Sequence, residues 1–211
     1  MKGPLGNPDR VPGLLADLES GSVRPGSGSA GILRVIADRR PEFLGPHFDV
    51  FVRHLDHPAK LLQWEAIYIL ARLVRLDAGS RFESVFDRYF APIRGPVMIT
   101  GANVIKAAPR IAAARPDWAD RIARKILEVT RARYESAECR RIAIGQAIQA
   151  FEGMFELLRD PSPVLRFVRG QIRNSRPATR ARAARFLQRR KRWRVPSGVR
   201  GEPTPGTGVG P

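Results

Sequence analysis

Alanine-centred helical patterns recur along this chain at an interval of about forty residues, and that period limits the fold more than any composition does. The centres fall at Ala30, Ala66, Ala102, Ala143 and Ala183, separated by 36, 36, 41 and 40 positions. Around Ala66 the chain reads Leu61-Leu62-Gln63-Trp64-Glu65-Ala66-Ile67-Tyr68-Ile69-Leu70. A period of this length is the mark of stacked helical repeats, in which no single helix pair buries its apolar face until a neighbour covers it. A second helical segment lies between successive centres, so the unit is a helix pair.

The punctuation agrees. Arg40-Pro41-Glu42-Phe43 and Arg115-Pro116-Asp117-Trp118 stand 75 residues apart. Each has proline at a first helical position and an acid in the first turn, where the helix dipole favours it. Asp56-His57-Pro58 and Asp160-Pro161 close one element before the next begins. The expected helices are 30–38, 41–55, 59–76, 81–91, 97–114, 117–134, 137–158, 163–174 and 177–192, with no strand signal. In the segment from Asp117, Trp118, Ile122, Ile126 and Val129 share one stripe with Ala119, Ala123, Leu127 and Thr130. Arg121, Arg124, Lys125, Glu128 and Arg131 lie opposite. Gly101, Gly145 and Gly153 sit inside helical segments at about 1 kcal/mol each relative to alanine; close packing between helices or a kink would each account for them.

The phrase Asp56-His57-Pro58-Ala59-Lys60-Leu61-Leu62-Gln63-Trp64-Glu65-Ala66 resembles the inter-repeat turn and first helix of a HEAT repeat, in which an aspartate, a proline and a basic residue precede a small-residue helix. The resemblance covers about residues 29 to 192. It departs from the family at Lys60, where an arginine nearer the alanine is usual, and at Arg94-Gly95-Pro96, which lacks the aspartate. It implies an all-α chain, an α-solenoid of about four to five stacked helical pairs.

The expected organisation is a flexible segment 1–28, rich in glycine and proline with room for one short helix near Leu14 to Leu18, a repeat domain 29–194, and a disordered glycine- and proline-rich tail 195–211. The sequence offers no run of some 18 uncharged apolar residues and no apolar signal-peptide core, so a cytoplasmic protein without a membrane span is expected. The single cysteine, Cys139, excludes an internal disulfide.

Net charge is +17. Residues 161 to 201 hold 13 Lys or Arg and no acid; the rest of the chain holds 24 basic and 20 acidic residues, a balance of only +4. The candidate partner-binding residues are therefore Arg166, Arg169 and Arg173 at helical spacing, Arg180 and Arg185 on the last helix, Trp193 as a stacking ring among arginines, and the basic face Arg121, Arg124, Lys125 and Arg131. Guanidinium pairs bidentately with phosphate and a ring offers a base-stacking platform, yet a charge run at a helix end is equally a solvated face.

Candidate catalytic groups are sparse. His47, His54 and His57 cluster, but 47 to 54 spans seven positions where helical ligands stand four apart, and no metal or other cofactor is expected. Cys139 follows Ser136, a candidate N-cap, without a histidine near it in sequence. Glu65 beside Trp64, and Glu135 with Glu138, are the carboxylates to inspect. Glu65 in an apolar helix would carry a raised pKa, bond a neighbouring backbone or face solvent. The repeat class includes DNA glycosylases with tryptophan and aspartate on a concave surface, but their site has no residue-by-residue match here. The sequence thus points to a non-catalytic scaffold that binds a protein or another acidic partner. The alternative is weakly sequence-selective nucleic-acid binding through the C-terminal basic helices, and behind both stands a nucleic-acid-modifying enzyme.

Overall fold

A computed structural model describes residues 7–20, 28–78 and 81–190. Every regular element among them is helical. The α-helices are α1 (Val11–Glu19), α2 (Gly28–Arg39), α3 (Phe48–Arg53), α4 (Lys60–Leu73), α5 (Arg81–Phe90), α6 (Met98–Ala114), α7 (Ala119–Leu127), α8 (Ala137–Met154), α9 (Ser162–Gly170) and α10 (Pro177–Arg189). The even-numbered helices pack in chain order, α2 on α4, α4 on α6, α6 on α8 and α8 on α10, and each odd-numbered helix packs on an even-numbered neighbour.

Polar ties between elements repeat the sequence interval. Trp64 Nε1 donates to Thr100 Oγ1 at 3.0 Å, Arg121 reaches Glu83 at 3.4 Å, Lys125 reaches Asp87 at 2.9 Å, Arg176 reaches Glu138 at 2.8 Å and Arg189 reaches Glu152 at 2.6 Å. Each joins residues 36 to 38 positions apart. Ala30, Ala66, Ala143 and Ala183 are all buried, whereas Ala102 is half-buried and Gly101 beside it is buried.

Glycine there answers a close approach. A Cβ on Gly101 would stand 2.4 Å from Tyr134 Oη and 2.8 Å from the Pro92 carbonyl, and one on Gly145 would stand 3.0 Å from Thr179 Oγ1. A Cβ on Gly153 would stand 3.3 Å from Pro109 Cβ of α6. Contact with neighbouring elements therefore accounts for these glycines. At Arg94-Gly95-Pro96 the backbone turns through φ +109 at Gly95 and lies against the backbone of Arg133, whose N–H donates to the Arg94 carbonyl at 2.7 Å.

Several expected boundaries move. The segment 41–55 is broken into 3-10 turns at Pro41–Phe43 and Gly45–His47 before α3, because Gly45-Pro46 cannot continue a helix. The segment 117–134 is α7 between 3-10 turns Pro116–Trp118 and Glu128–Arg131. Its apolar stripe is buried at Trp118, Ala119, Ile122, Ala123, Ile126 and Val129, while Leu127 is half-buried and Thr130 exposed. Ser136 does cap α8, accepting from the Cys139 N–H at 3.1 Å.

The larger correction is at the N-terminus. Helix α1 buries Val11, Leu14, Leu15 and Leu18 against α2, so the packed unit begins near Val11 and not at residue 29. Spaced i, i+3, i+4, i+7, these four side chains form a full apolar stripe. Their burial, at about 1.5–3 kcal/mol each before entropy, outweighs the glycine and proline content around them. The tail 195–211 and the last expected helical residues, 191–192, lie outside the described residues.

Candidate nucleic-acid interface

Helix α6, Met98–Ala114, contains two charged residues, Lys106 and Arg110, and they stand i, i+4 on one face. Like charges at that spacing repel by a few tenths of a kcal/mol in an isolated helix. Neither has an ion-pair partner among the described residues. Both line a cavity of about 410 Å³ together with Arg34 of α2, Trp64, Ile67, Tyr68 and Arg72 of α4, and Asn103 and Ala107 of α6.

This cavity opens a series. A cavity of about 170 Å³ between α6 and α8 shares Lys106 and adds Pro109, Gln146, Gln149 and Ala150. A third, of about 220 Å³ between α8 and α10, shares Gln149 and adds Ile148, Glu152, Arg182 and Arg185. Taken together as one groove, the three cavities touch five even-numbered helices and are lined by six cations and one carboxylate, Glu152, which Arg189 holds.

The cations of the first cavity divide into paired and unpaired. Arg34 grips Glu65 through Nε and Nη2 at 2.8 to 3.0 Å, which raises the guanidinium pKa further. Arg72 Nε reaches Asp38 at 2.5 Å, and Tyr68 Oη donates to the same carboxylate at 2.7 Å. Partial burial pushes Asp38 up, but those hydrogen bonds and the nearby Arg72 and Arg110 charges prevail and hold it below the usual carboxylate range. Arg34 and Arg72 both approach the Tyr68 ring, at 4.5 and 3.2 Å from its centroid. Burial and the hydrogen bond to Asp38 push the phenol up. Lys106, Arg110, Arg182 and Arg185 have no carboxylate within ion-pair distance among the described residues, and they carry the groove's free positive charge.

Glu65 neither faces solvent nor bonds a neighbouring backbone. It is 2% exposed, and its partner is the Arg34 side chain of the preceding even-numbered helix rather than solvent or backbone. It does not line the cavity, although Trp64 does. His54 is also buried, with Nε2 3.1 Å from Glu19, and His57 Nδ1 accepts from the Ala59 N–H. Among the described residues no cluster of three metal-ligating side chains occurs. Nor is any helix there long and apolar enough to cross a membrane.

The sequence-derived candidates lie mostly elsewhere. Arg121 pairs with Glu83 and stacks 3.8 Å from the Phe86 ring centroid, and Lys125 pairs with Asp87 and Glu128, so both tie α7 to its surroundings. Arg124, Arg131 and Arg166 line an open cavity of about 830 Å³ between α7 and α9, and Arg169 and Arg173 are exposed beyond it. Arg180 donates to the carbonyls of Asn174 and Ser175 at 2.9 Å. Of this set only Arg185 joins the groove. Trp193 lies outside the described residues. The groove residues Arg34, Tyr68, Arg72, Asn103, Lys106, Arg110, Gln146 and Gln149 escaped the sequence reading, whereas Arg182 belongs to the basic run of the last helix. The i, i+4 cation pair on an otherwise uncharged helix was the signal available for them.

Comparison with family models, with curated proteins and with solved structures finds no match to this chain.

Proposed function

We propose that this chain is a HEAT-like α-solenoid that binds nucleic acid along the groove of its even-numbered helices and performs no catalysis there. The repeat reading is supported by helices that pack in chain order and by polar ties that recur at the alanine interval. The observation that carries the functional reading is the groove's charge: six cations against one carboxylate that is already paired, with Trp64, Asn103 and two glutamines between them. Guanidinium and ammonium groups in a row meet successive phosphates, and amide side chains and an indole offer contacts to bases without demanding a sequence. A non-catalytic reading fits the position of Glu65, the carboxylate beside Trp64, which is held by two Arg34 nitrogens and does not line the cavity.

Protein docking is the second reading, and a different surface favours it. The α7–α9 cavity sets Leu127, Pro163 and Phe167 among Arg124, Arg131 and Arg166, a mixed apolar and basic lining suited to an acidic protein. Fluorescence anisotropy on nuclease-treated protein with labelled single strands and duplexes tests the first reading. Binding at low salt that Lys106→Ala/Arg110→Ala weakens supports it; no binding at low salt removes it and leaves the protein partner.

A further inference from the structure

Within that groove the cavities are not equivalent. The one between α2, α4 and α6 is larger than the two that follow, and it alone gathers four cations around one space. Its volume falls in the range of small-molecule sites. It has an apolar side in Trp64, Ile67 and Ala107 and a cationic side in Arg34, Arg72, Lys106 and Arg110. Glu65 answers Arg34 and Asp38 answers Arg72, so four cations against two carboxylates leave two positive charges, those of Lys106 and Arg110.

Gathered on one cavity, two uncompensated charges match a single dianionic phosphate more closely than a single internal phosphodiester, which carries one negative charge. A phosphate monoester carries about −1.5 to −2 near neutral pH, with three acceptor oxygens. We infer that the α2–α4–α6 cavity receives the terminal phosphate monoester of a nucleic-acid strand whose body follows the groove toward α10. Lys106 and Arg110 meet the dianion. Arg34 and Arg72, each fixed by its own carboxylate, present preorganised N–H groups that need not be reoriented on binding. Trp64 and Ile67 cover the terminal sugar or base. The inference rests on the nucleic-acid reading of the groove and assigns its direction: the phosphorylated end lies at α2 and the chain leaves past Gln149 to Arg182 and Arg185.

The test compares four labelled single strands of one sequence by fluorescence anisotropy: 5′-phosphate, 3′-phosphate, and the two ends as hydroxyls, with the label always on the opposite end. One phosphorylated end binds at least tenfold more tightly than its hydroxyl counterpart. Lys106→Ala/Arg110→Ala abolishes that ratio, whereas Arg182→Ala/Arg185→Ala weakens both strands alike and preserves it. Equal affinity of the phosphorylated and hydroxyl strands for the unaltered protein overturns the terminal site while the groove stands. Failure of every strand to bind overturns both. Calorimetry with a nucleoside monophosphate separates the source of the phosphate: a mononucleotide bound as tightly as the phosphorylated strand overturns the strand end in favour of a small phosphorylated molecule.

Discussion

Salt titration of single-strand binding puts a number on the groove. Lys106, Arg110, Arg182 and Arg185 are its unpaired cations; Arg34 and Arg72 already hold Glu65 and Asp38, so they release few counterions on meeting a phosphate. At about 0.7 per negative charge neutralised, with two of the four charges carried by a terminal monoester, four cations give a slope of about 2.8 in a plot of log affinity against log salt. Raising salt fourfold, from about 50 to about 200 mM, then costs about fiftyfold in affinity. Lys106→Ala/Arg110→Ala halves the slope to about 1.4, so the same change in salt costs about sevenfold. Neutralising Arg124, Arg131 and Arg166 on the α7–α9 surface leaves the slope where it was. All these side chains lie at cavity walls and none is needed to bury the core, so circular dichroism of each variant matches that of the parent. A slope below about 1, or one lowered by the α7–α9 substitutions and indifferent to Lys106 and Arg110, refutes the assignment of the groove.

Other consequences concern stability. Gly101→Ala drives a methyl into Tyr134 and the Pro92 carbonyl and lowers stability by about 1–3 kcal/mol in thermal or urea melts, while Gly13→Ala in α1, where nothing stands within 4 Å, raises it by about 0.5–1 kcal/mol. Leu18→Ala, at a side chain 1% exposed, costs about 2–5 kcal/mol, and deletion of residues 1–20 lowers the melting temperature; an unchanged melt for the deletion would show that α1 does not dock. Arg34→Ala strands the buried Glu65 carboxylate and costs about 1–3 kcal/mol, discounted from a fully buried pair because Arg34 is partly exposed; adding Glu65→Leu recovers much of that loss. Burial holds His54 below the ordinary imidazole range, only partly countered by Glu19. The unfolded chain therefore binds its proton first as pH falls, so this contribution is complete above the ordinary value of 6.5 and is lost as pH drops through the folded value. Thermal melts from pH 8 to 5 register that decline, and His54→Phe flattens it.

What the sequence disclosed follows from where each signal is local. The alanine interval was readable because four of its five centres are buried, and close approach also accounts for Gly101 against Tyr134 and the Pro92 carbonyl and for Gly145 against Thr179. The stripe on α7 was readable because its alternation is complete within one helix. Helix α1 was obscured by the glycine and proline around it, although Val11, Leu14, Leu15 and Leu18 carry helical spacing. The groove was obscured for a different reason. Its cations arrive one or two per helix from positions 34 to 185, mostly inside the region whose acids nearly balance its bases, so no window of sequence looks basic. Only Arg182 and Arg185 fall in the dense basic run after residue 161.

On the nucleic-acid reading proposed above, pairing rather than net charge marks where an anion would bind. Carboxylates along the fold are committed to neighbours: Asp56 to Arg88, Glu83 to Arg121, Asp87 to Lys125, Glu138 to Arg176, Glu152 to Arg189. Each tie joins one helical unit to another, and each removes a cation from the pool that an external anion can use. The groove cations Lys106, Arg110, Arg182 and Arg185 receive no such partner, even though Lys106 and Arg110 stand one turn apart and repel each other. A purely structural face would do better with uncharged side chains there, as Gln146 and Gln149 of α8 illustrate in the same groove. The charge of Arg110 acts on Asp38, a carboxylate that Arg72 and Tyr68 already hold, so an anion bound between Lys106 and Arg110 would relieve their repulsion, and the proposed ligand class rests on that relief.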